Sequence, residues 1–195
     1  MVERYDVFVL GPGLGTDPGT AQFVVGVIEV LKLRGARVVI DADALNIIAT
    51  TGVTLKGLAA VVTPHPGEAA RLLGITSSEV QRDRFRAARE LSRALGVIAV
   101  LKGAGSLIHD GAEGRLVAEG TPYLATPGSG DVLAGIIAAC AARTASLWEA
   151  AVLGVWIHAR AGAAAAEQRG GPILASEVCD SIGHVIGRLE EGRLA

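Results

Sequence analysis

The segment Thr126-Pro127-Gly128-Ser129-Gly130-Asp131 sets three small residues before a carboxylate, and the apolar run Val-Leu-Ala-Gly-Ile-Ile-Ala-Ala follows at once. A loop that turns into a helix here gathers free backbone N–H groups and the positive end of the helix dipole, which together make an anion site. A carboxylate facing a bound phosphate repels it. Asp131 therefore suits this place if it acts on something else, such as a hydroxyl that must lose a proton. The chemistry predicted is phosphoryl transfer.

Three further clusters carry polar groups at the ends of apolar runs. Lys102 follows five apolar residues and opens Lys102-Gly103-Ala104-Gly105-Ser106, where the glycines let a phosphate approach the backbone and the ammonium neutralises it. A strand-end lysine that only reaches for solvent is the plainer reading. His65 stands between two prolines in Pro64-His65-Pro66-Gly67-Glu68, which holds an imidazole on a loop for binding or for loop structure, while Glu68 is ordinary in a first helical turn. Asp41-Ala42-Asp43-Ala44-Leu45-Asn46 leaves a strand at its carboxyl end, where open α/β sheets carry ligands; Asp41 or Asp43 could equally cap the next helix. Gly11-Pro12-Gly13-Leu14-Gly15 has the wrong spacing for a dinucleotide fingerprint, and no Walker-type Gly-Lys-Ser/Thr sequence occurs.

These clusters need elements to hold them. Strands are predicted at Val7–Leu10 and at residues 36–40, 58–63 and 97–101, with a return strand at 115–118 after an Asp-Gly turn. Helices are predicted from Asp17 or Pro18 to about Arg34, with Phe23, Val27, Val30 and Leu31 on the inner face, and over 69–73. A capping box at Thr76 opens one surface helix to Leu95 with Phe85, Ala88 and Leu91 inward and its arginines solvated. Three helices close the chain, over about 126–143, 147–168 and 176–189. Strands alternating with helices imply a mostly parallel α/β sheet whose βα loops share one edge. On that edge residues 11–15, 102–106 and 128–131 line one cleft.

With 195 residues, half of them apolar, the chain suits one domain with a buried core. A net charge of −2 without long single-sign blocks and only 4% aromatics speak against a nucleic-acid surface. No apolar run approaches the roughly 18 residues that span a bilayer, and the start has no signal-peptide pattern, so a cytoplasmic protein acting on small molecules is expected. Cys140 and Cys179 read as reduced, buried thiols. The Ala-rich helical end suggests a homo-oligomer.

Taken in order, Gly-Pro-Gly-Leu-Gly, Asp-Ala-Asp-Ala-Leu-Asn, Thr-Pro-His-Pro-Gly-Glu, Val-Leu-Lys-Gly-Ala-Gly-Ser and Gly-Ser-Gly-Asp-Val-Leu-Ala-Gly resemble the ADP/ATP-dependent NAD(P)H-hydrate dehydratases of the ribokinase-like superfamily. The resemblance implies a three-layer α/β/α fold and a repair enzyme that uses ADP or ATP, with Mg²⁺ on the phosphates, to dehydrate hydrated NADH or NADPH. It assigns Asp131 as the base, with Gly128 and Gly130 in the cradle of the transferred phosphoryl group. Lys102, Gly103, Ala104, Gly105, Ser106 and Gly130 would bind the nucleotide, and Gly13, His65, Asp43 and Asn46 the hydrated dinucleotide; no residue is assigned as a metal ligand. Two departures accompany it. Pro127 removes one N–H from the cradle, and the glycine-rich strand and helix with which family domains begin are not found before the first loop. Residues 1–195 are thus expected to form one N-terminally shortened domain, completed either by upstream sequence or by a neighbouring subunit. A ribokinase-like kinase of a small alcohol such as hydroxymethylpyrimidine would share the Asp131 loop without needing His65, and a non-catalytic nucleotide-binding module would need neither.

Overall fold

In the computed structural model, which describes residues 5–192, four short apolar runs become parallel strands lying side by side in chain order. They are β1 (Val7–Leu10), β2 (Arg37–Ile40), β3 (Ala59–Val62) and β4 (Ile98–Leu101). β5 (Ser106–His109) and β6 (Gly114–Val117) extend the sheet beyond β4 as an antiparallel hairpin. Its turn is the Asp-Gly pair: Asp110 Oδ1 accepts the Ala112 and Glu113 amides, both at 2.8 Å, and Gly111 takes φ 99°.

Right-handed crossovers between neighbours in chain order send every connecting helix to the same face. Those helices are α1 (Pro18–Arg34), α2 (Asp43–Thr51), α3 (Pro66–Leu73), α4 (Ser77–Arg82) and α5 (Arg84–Leu95), and α6 (Ser129–Ala141), α7 (Leu147–Arg169) and α8 (Ala175–Glu190) follow the hairpin. The pleat records the division. Val38, Ile40, Val62 and Leu101 pack with Ile28 and Leu91, whereas the intervening Val39, Val61 and Val100 pack with Leu133, Ile137 and Val155. This is the three-layer α/β/α architecture expected from the sequence.

Several helix assignments differ. In α1 the buried residues are Val24, Ile28 and Leu31, while Phe23 is 58% and Val30 45% exposed. The helix carries apolar residues on more than one face, so spacing alone did not select the buried stripe. The helix expected to continue from Thr76 to Leu95 breaks at Asp83, whose side chain caps α5 by accepting the Arg86 N–H at 2.9 Å. That break turns Phe85 outward and leaves Ala87, Ala88 and Leu91 inside. Cys140 is buried, and burial pushes its thiol pKa up, but Cys179 is exposed rather than buried.

The helix that follows the loop 126–128 is held at two points in its C-terminal half. Gly154 of α7 lies so close to α6 that a Cβ there would stand 2.7 Å from Ile137 Cγ1 and 2.9 Å from its Cα. One turn further on, Arg37 of β2 donates from Nη1 to the Ala141 and Thr144 carbonyls (2.6 and 2.7 Å) and from Nη2 to the Ala145 carbonyl at 3.2 Å. A cation there satisfies orphan carbonyls and complements the dipole. Among the described residues, no helix is long and apolar enough to cross a membrane.

Candidate active site

Parallel strands end on one edge of the sheet, and the polar clusters following β1, β2, β3 and β4 meet there. The first loop rests on the end of β2. A Cβ at Gly11, where φ is 131°, would lie 1.8 Å from the Asp41 carbonyl oxygen, so glycine is required for this approach. Gly15 N–H donates to Asp43 Oδ2 at 2.8 Å, which ties the same loop to the first turn of α2.

Between the two aspartates Ala42 adopts φ 51° and ψ −122°, a conformation unusual for a residue with a side chain. The kink sends the two carboxylates to different partners. Asp43 takes the first loop, and Asp41, 1% exposed, accepts from Lys102 Nζ at 2.7 Å. Neither caps α2, which has no side-chain cap. Lys102 does not simply reach for solvent: its ammonium lies between Asp41 and Glu68, whose Oε2 is 3.8 Å away.

Glu68, itself buried, links this cluster to the His65 loop. Its Oε2 accepts the His65 N–H at 2.7 Å, and His65 Nδ1 accepts the amides of Gly67 (2.9 Å) and Glu68 (3.3 Å). His65 is thus the N-cap of α3, the structural alternative, with Nδ1 as acceptor. Nε2 then carries the hydrogen and lies 3.5 Å from Glu68 Oε1, while half the side chain stays exposed at the loop surface. Capping leaves an edge of the ring free for a ligand. Asn46 accepts from Arg71 Nη1 at 2.9 Å, which joins α2 to α3; Gly13 lies exposed in the first loop.

The N-terminus of α6 meets the same cluster from the other layer. Gly128, at φ 83°, is its N-cap, and a Cβ on Gly130 would be 3.3 Å from Lys102 Nζ and 3.4 Å from Asp41 Oδ2. Helix amides, a half-buried lysine and its paired aspartate are thereby adjacent, with Asp131 exposed in the same first turn. An anion at the amides also meets the ammonium, and the carboxylate of Asp131 is accessible to a bound hydroxyl. The groove of about 670 Å³ between α7 and α8, lined in part by Arg160, Glu167, Asp180 and His184, contains none of these residues. The clusters singled out in the sequence meet instead at the sheet edge.

Two supporting residues escaped the sequence reading. Arg84, expected to be solvated, is half-buried, and its guanidinium lies under the loop 102–106. His158 of α7 fixes the start of α6: its Nε2 lies 3.0 Å from both the carbonyl oxygen and the hydroxyl of Ser129. A carbonyl only accepts, so the hydrogen sits on Nε2 and both oxygens accept it. The available signals were faint. One was an arginine beside a helix-capping aspartate, the other a lone histidine in an Ala-rich helix.

Burial pushes the His158 pKa down to about 4, against an ordinary value of 6.5. In the window from about 6.5 to 4 the unfolded chain binds the proton and the folded chain does not, so stability is complete above the window and falls as pH drops through it. Between pH 7 and 5 the loss is expected to be about 1–2 kcal/mol. Urea midpoints compared in wild type and His158→Gln check this: the variant should lose that part of the pH dependence.

Comparison with known proteins places the geometry in context. Residues 1–183 match the protein family described as NAD(P)H-hydrate dehydratase. Over 191 residues the chain is 42% identical to the bifunctional NAD(P)H-hydrate repair enzyme Nnr of Moorella thermoacetica, covering 95% of this chain and 35% of that protein. It is 39% identical over 188 residues to the ADP-dependent (S)-NAD(P)H-hydrate dehydratase of Neisseria meningitidis serogroup B, covering 91% of this chain and 62% of that one. The chain therefore spans about a third of the length of the bifunctional relatives it matches. The crystal structure of the ADP/ATP-dependent NAD(P)H-hydrate dehydratase from Bacillus subtilis, co-crystallized with ATP/Mg²⁺, superposes with a TM-score of 0.80 at 29% identity, covering 94% of this chain and 65% of that one.

Proposed function

The chain belongs to the NAD(P)H-hydrate dehydratase family, with a ribokinase-like fold, and on that footing we propose that it spends ADP or ATP to return hydrated NADH and NADPH to the working cofactors. The observation that carries this reading is the meeting of Lys102, its partner Asp41 and the Gly130 amide end of α6, with Asp131 exposed one residue on. Asp131 takes the proton of the ring hydroxyl as the terminal phosphoryl group of the nucleotide is transferred to that oxygen. The amides of Gly128 and Gly130 hold the group in flight, the role in which fixed donors contribute most, while the Ser129 amide closes the loop on the Thr126 carbonyl at 3.2 Å. Phosphate is then a good leaving group: the ring nitrogen's lone pair expels it, and loss of a proton from the neighbouring ring carbon restores the double bond.

In the same proposal Lys102, Gly103, Ala104, Gly105 and Ser106 take the nucleotide, while Gly13, His65, Asp43 and Asn46 take the hydrated dinucleotide. Asp41 and Glu68 already face the Lys102 ammonium. With those carboxylates engaged by the lysine, Mg²⁺ would be held mainly by the nucleotide itself and would supply neutralisation of phosphate charge. The substrates are soluble cofactors, which makes the cytoplasm the proposed location. Self-association remains part of the proposal, with Ile186 and Leu189 of α8 exposed.

The test is an incubation with hydrated NADH, Mg²⁺ and either ADP or ATP. Recovery of the absorbance of reduced nicotinamide, matched mole for mole by released phosphate, is expected. Phosphorylation of hydroxymethylpyrimidine without recovery of NADH would instead make the protein a kinase of the same fold.

A further inference from the structure

We propose that Arg84 is the positioning residue that presets the loop 102–106 for the phosphates of a nucleotide; the inference rests on reading that loop as the nucleotide site. Arg84 is the first residue of α5, and its guanidinium points back under the loop. Nη1 donates to the Ala104 carbonyl at 2.7 Å, and Nη2 to the Gly105 carbonyl at 2.8 Å and the Leu101 carbonyl at 3.3 Å.

A trans peptide points its N–H opposite to its C=O. Holding the Ala104 and Gly105 carbonyls against Arg84 therefore turns the Gly105 amide away from α5 and sends the Ser106 amide into the hairpin ladder, where Ser106 pairs with Val117 of β6. The same rule is visible at the first of the three carbonyls: with the Leu101 oxygen drawn toward Arg84, the Lys102 N–H reaches the Pro64 carbonyl at 2.9 Å. Gly103 lies flat on the guanidinium, since a Cβ there would stand 2.7 Å from Nη2. One planar group thus sets the direction of three peptides, which a lysine's single ammonium cannot reproduce.

The charge of Arg84 is also left over. Its acceptors are neutral carbonyls, and Nε is buried with no hydrogen-bond partner among the described residues. A side chain placed only for solubility would extend that edge into water. Burial draws the guanidinium's pKa below the ordinary arginine value, yet arginine stays charged at neutral pH. A cation beneath the outward-turned Gly105 amide favours an anion across the loop.

The full chain carrying Arg84→Met or Arg84→Lys provides the test, with four readings on each variant: amide hydrogen exchange across 103–106 without ligand, calorimetric Kd for ADP and ATP, KM for the hydrated dinucleotide, and melting temperature. In Arg84→Met, loop exchange and nucleotide Kd should each rise by about tenfold or more while KM for the hydrate stays within about twofold. Arg84→Lys should recover only a minor part. Millimolar guanidinium should restore nucleotide affinity to Arg84→Ala. Unchanged exchange and Kd in Arg84→Met, with the wild type binding nucleotide, would overturn this proposal alone. So would equal losses for nucleotide and hydrate accompanied by a large fall in melting temperature, the signature of a merely structural arginine. A wild type that binds neither ADP nor ATP removes the premise together with the proposal.

Discussion

Asp131→Asn should stop turnover and leave the nucleotide bound. Asparagine keeps the size of the side chain and gives up its ability to take a proton, so the dehydration rate should fall by about 10²–10⁴-fold. Among the described residues no hydrogen bond to the Asp131 side chain is seen, and the position is exposed, so the fold loses nothing there except the favourable charge in the first turn of α6, about 0.3–1 kcal/mol. Removing a negative charge beside the phosphate cradle also removes repulsion, so Kd for ADP or ATP should stay level or tighten. The measurements are single-turnover dehydration and calorimetric binding on one preparation. A variant that still dehydrates at the wild-type rate would take Asp131 out of the reaction. One that loses nucleotide binding as well would make the carboxylate a structural part of the cradle.

The legibility of these elements follows from the range of the interactions that build them. The buried strands were readable because runs such as Val38-Val39-Ile40 have few other uses, and the Asp110-Gly111 turn because its chemistry is local. Gly128 and Asp131 could be read for a similar reason: a helix start with small residues and a carboxylate is specified within six positions. What the sequence concealed depends on contacts across long separations. Asp41 and Lys102 are 61 residues apart, and nothing near Asp41 distinguished an ion pair from a helix cap. Arg84 and His158 act on backbone carbonyls 17 to 29 residues away, which no local pattern records. In α1, where Phe23 and Val30 were assigned to the wrong face, the difficulty is an excess of apolar residues and not a lack of them.

Lys102→Met should strongly destabilise the sheet edge. Its ammonium sits 2.7 Å from the carboxylate of Asp41, and that carboxylate is only 1% exposed. Removing the lysine strands a buried charge, a change that typically costs about 3–5 kcal/mol. The lysine side chain keeps 20% of its surface in contact with water, so the lower end of that range is expected. Glu68 is less dependent on Lys102, because its Oε2 also accepts the His65 N–H at 2.7 Å. The penalty should therefore trace mainly to Asp41, and Asp41→Asn placed on top of Lys102→Met should recover about 0.5–3 kcal/mol of it. Denaturant unfolding of wild type, both single variants and the double variant measures the coupling. If Lys102→Met shifts stability by less than about 0.5 kcal/mol, as a solvated surface lysine would, the pair does not hold the edge together. The nucleotide adds a second readout. A wild type that binds ADP and a double variant that folds but does not would assign Lys102 to the phosphates as well as to Asp41, so that the cation which stabilises the sheet edge would also receive the ligand.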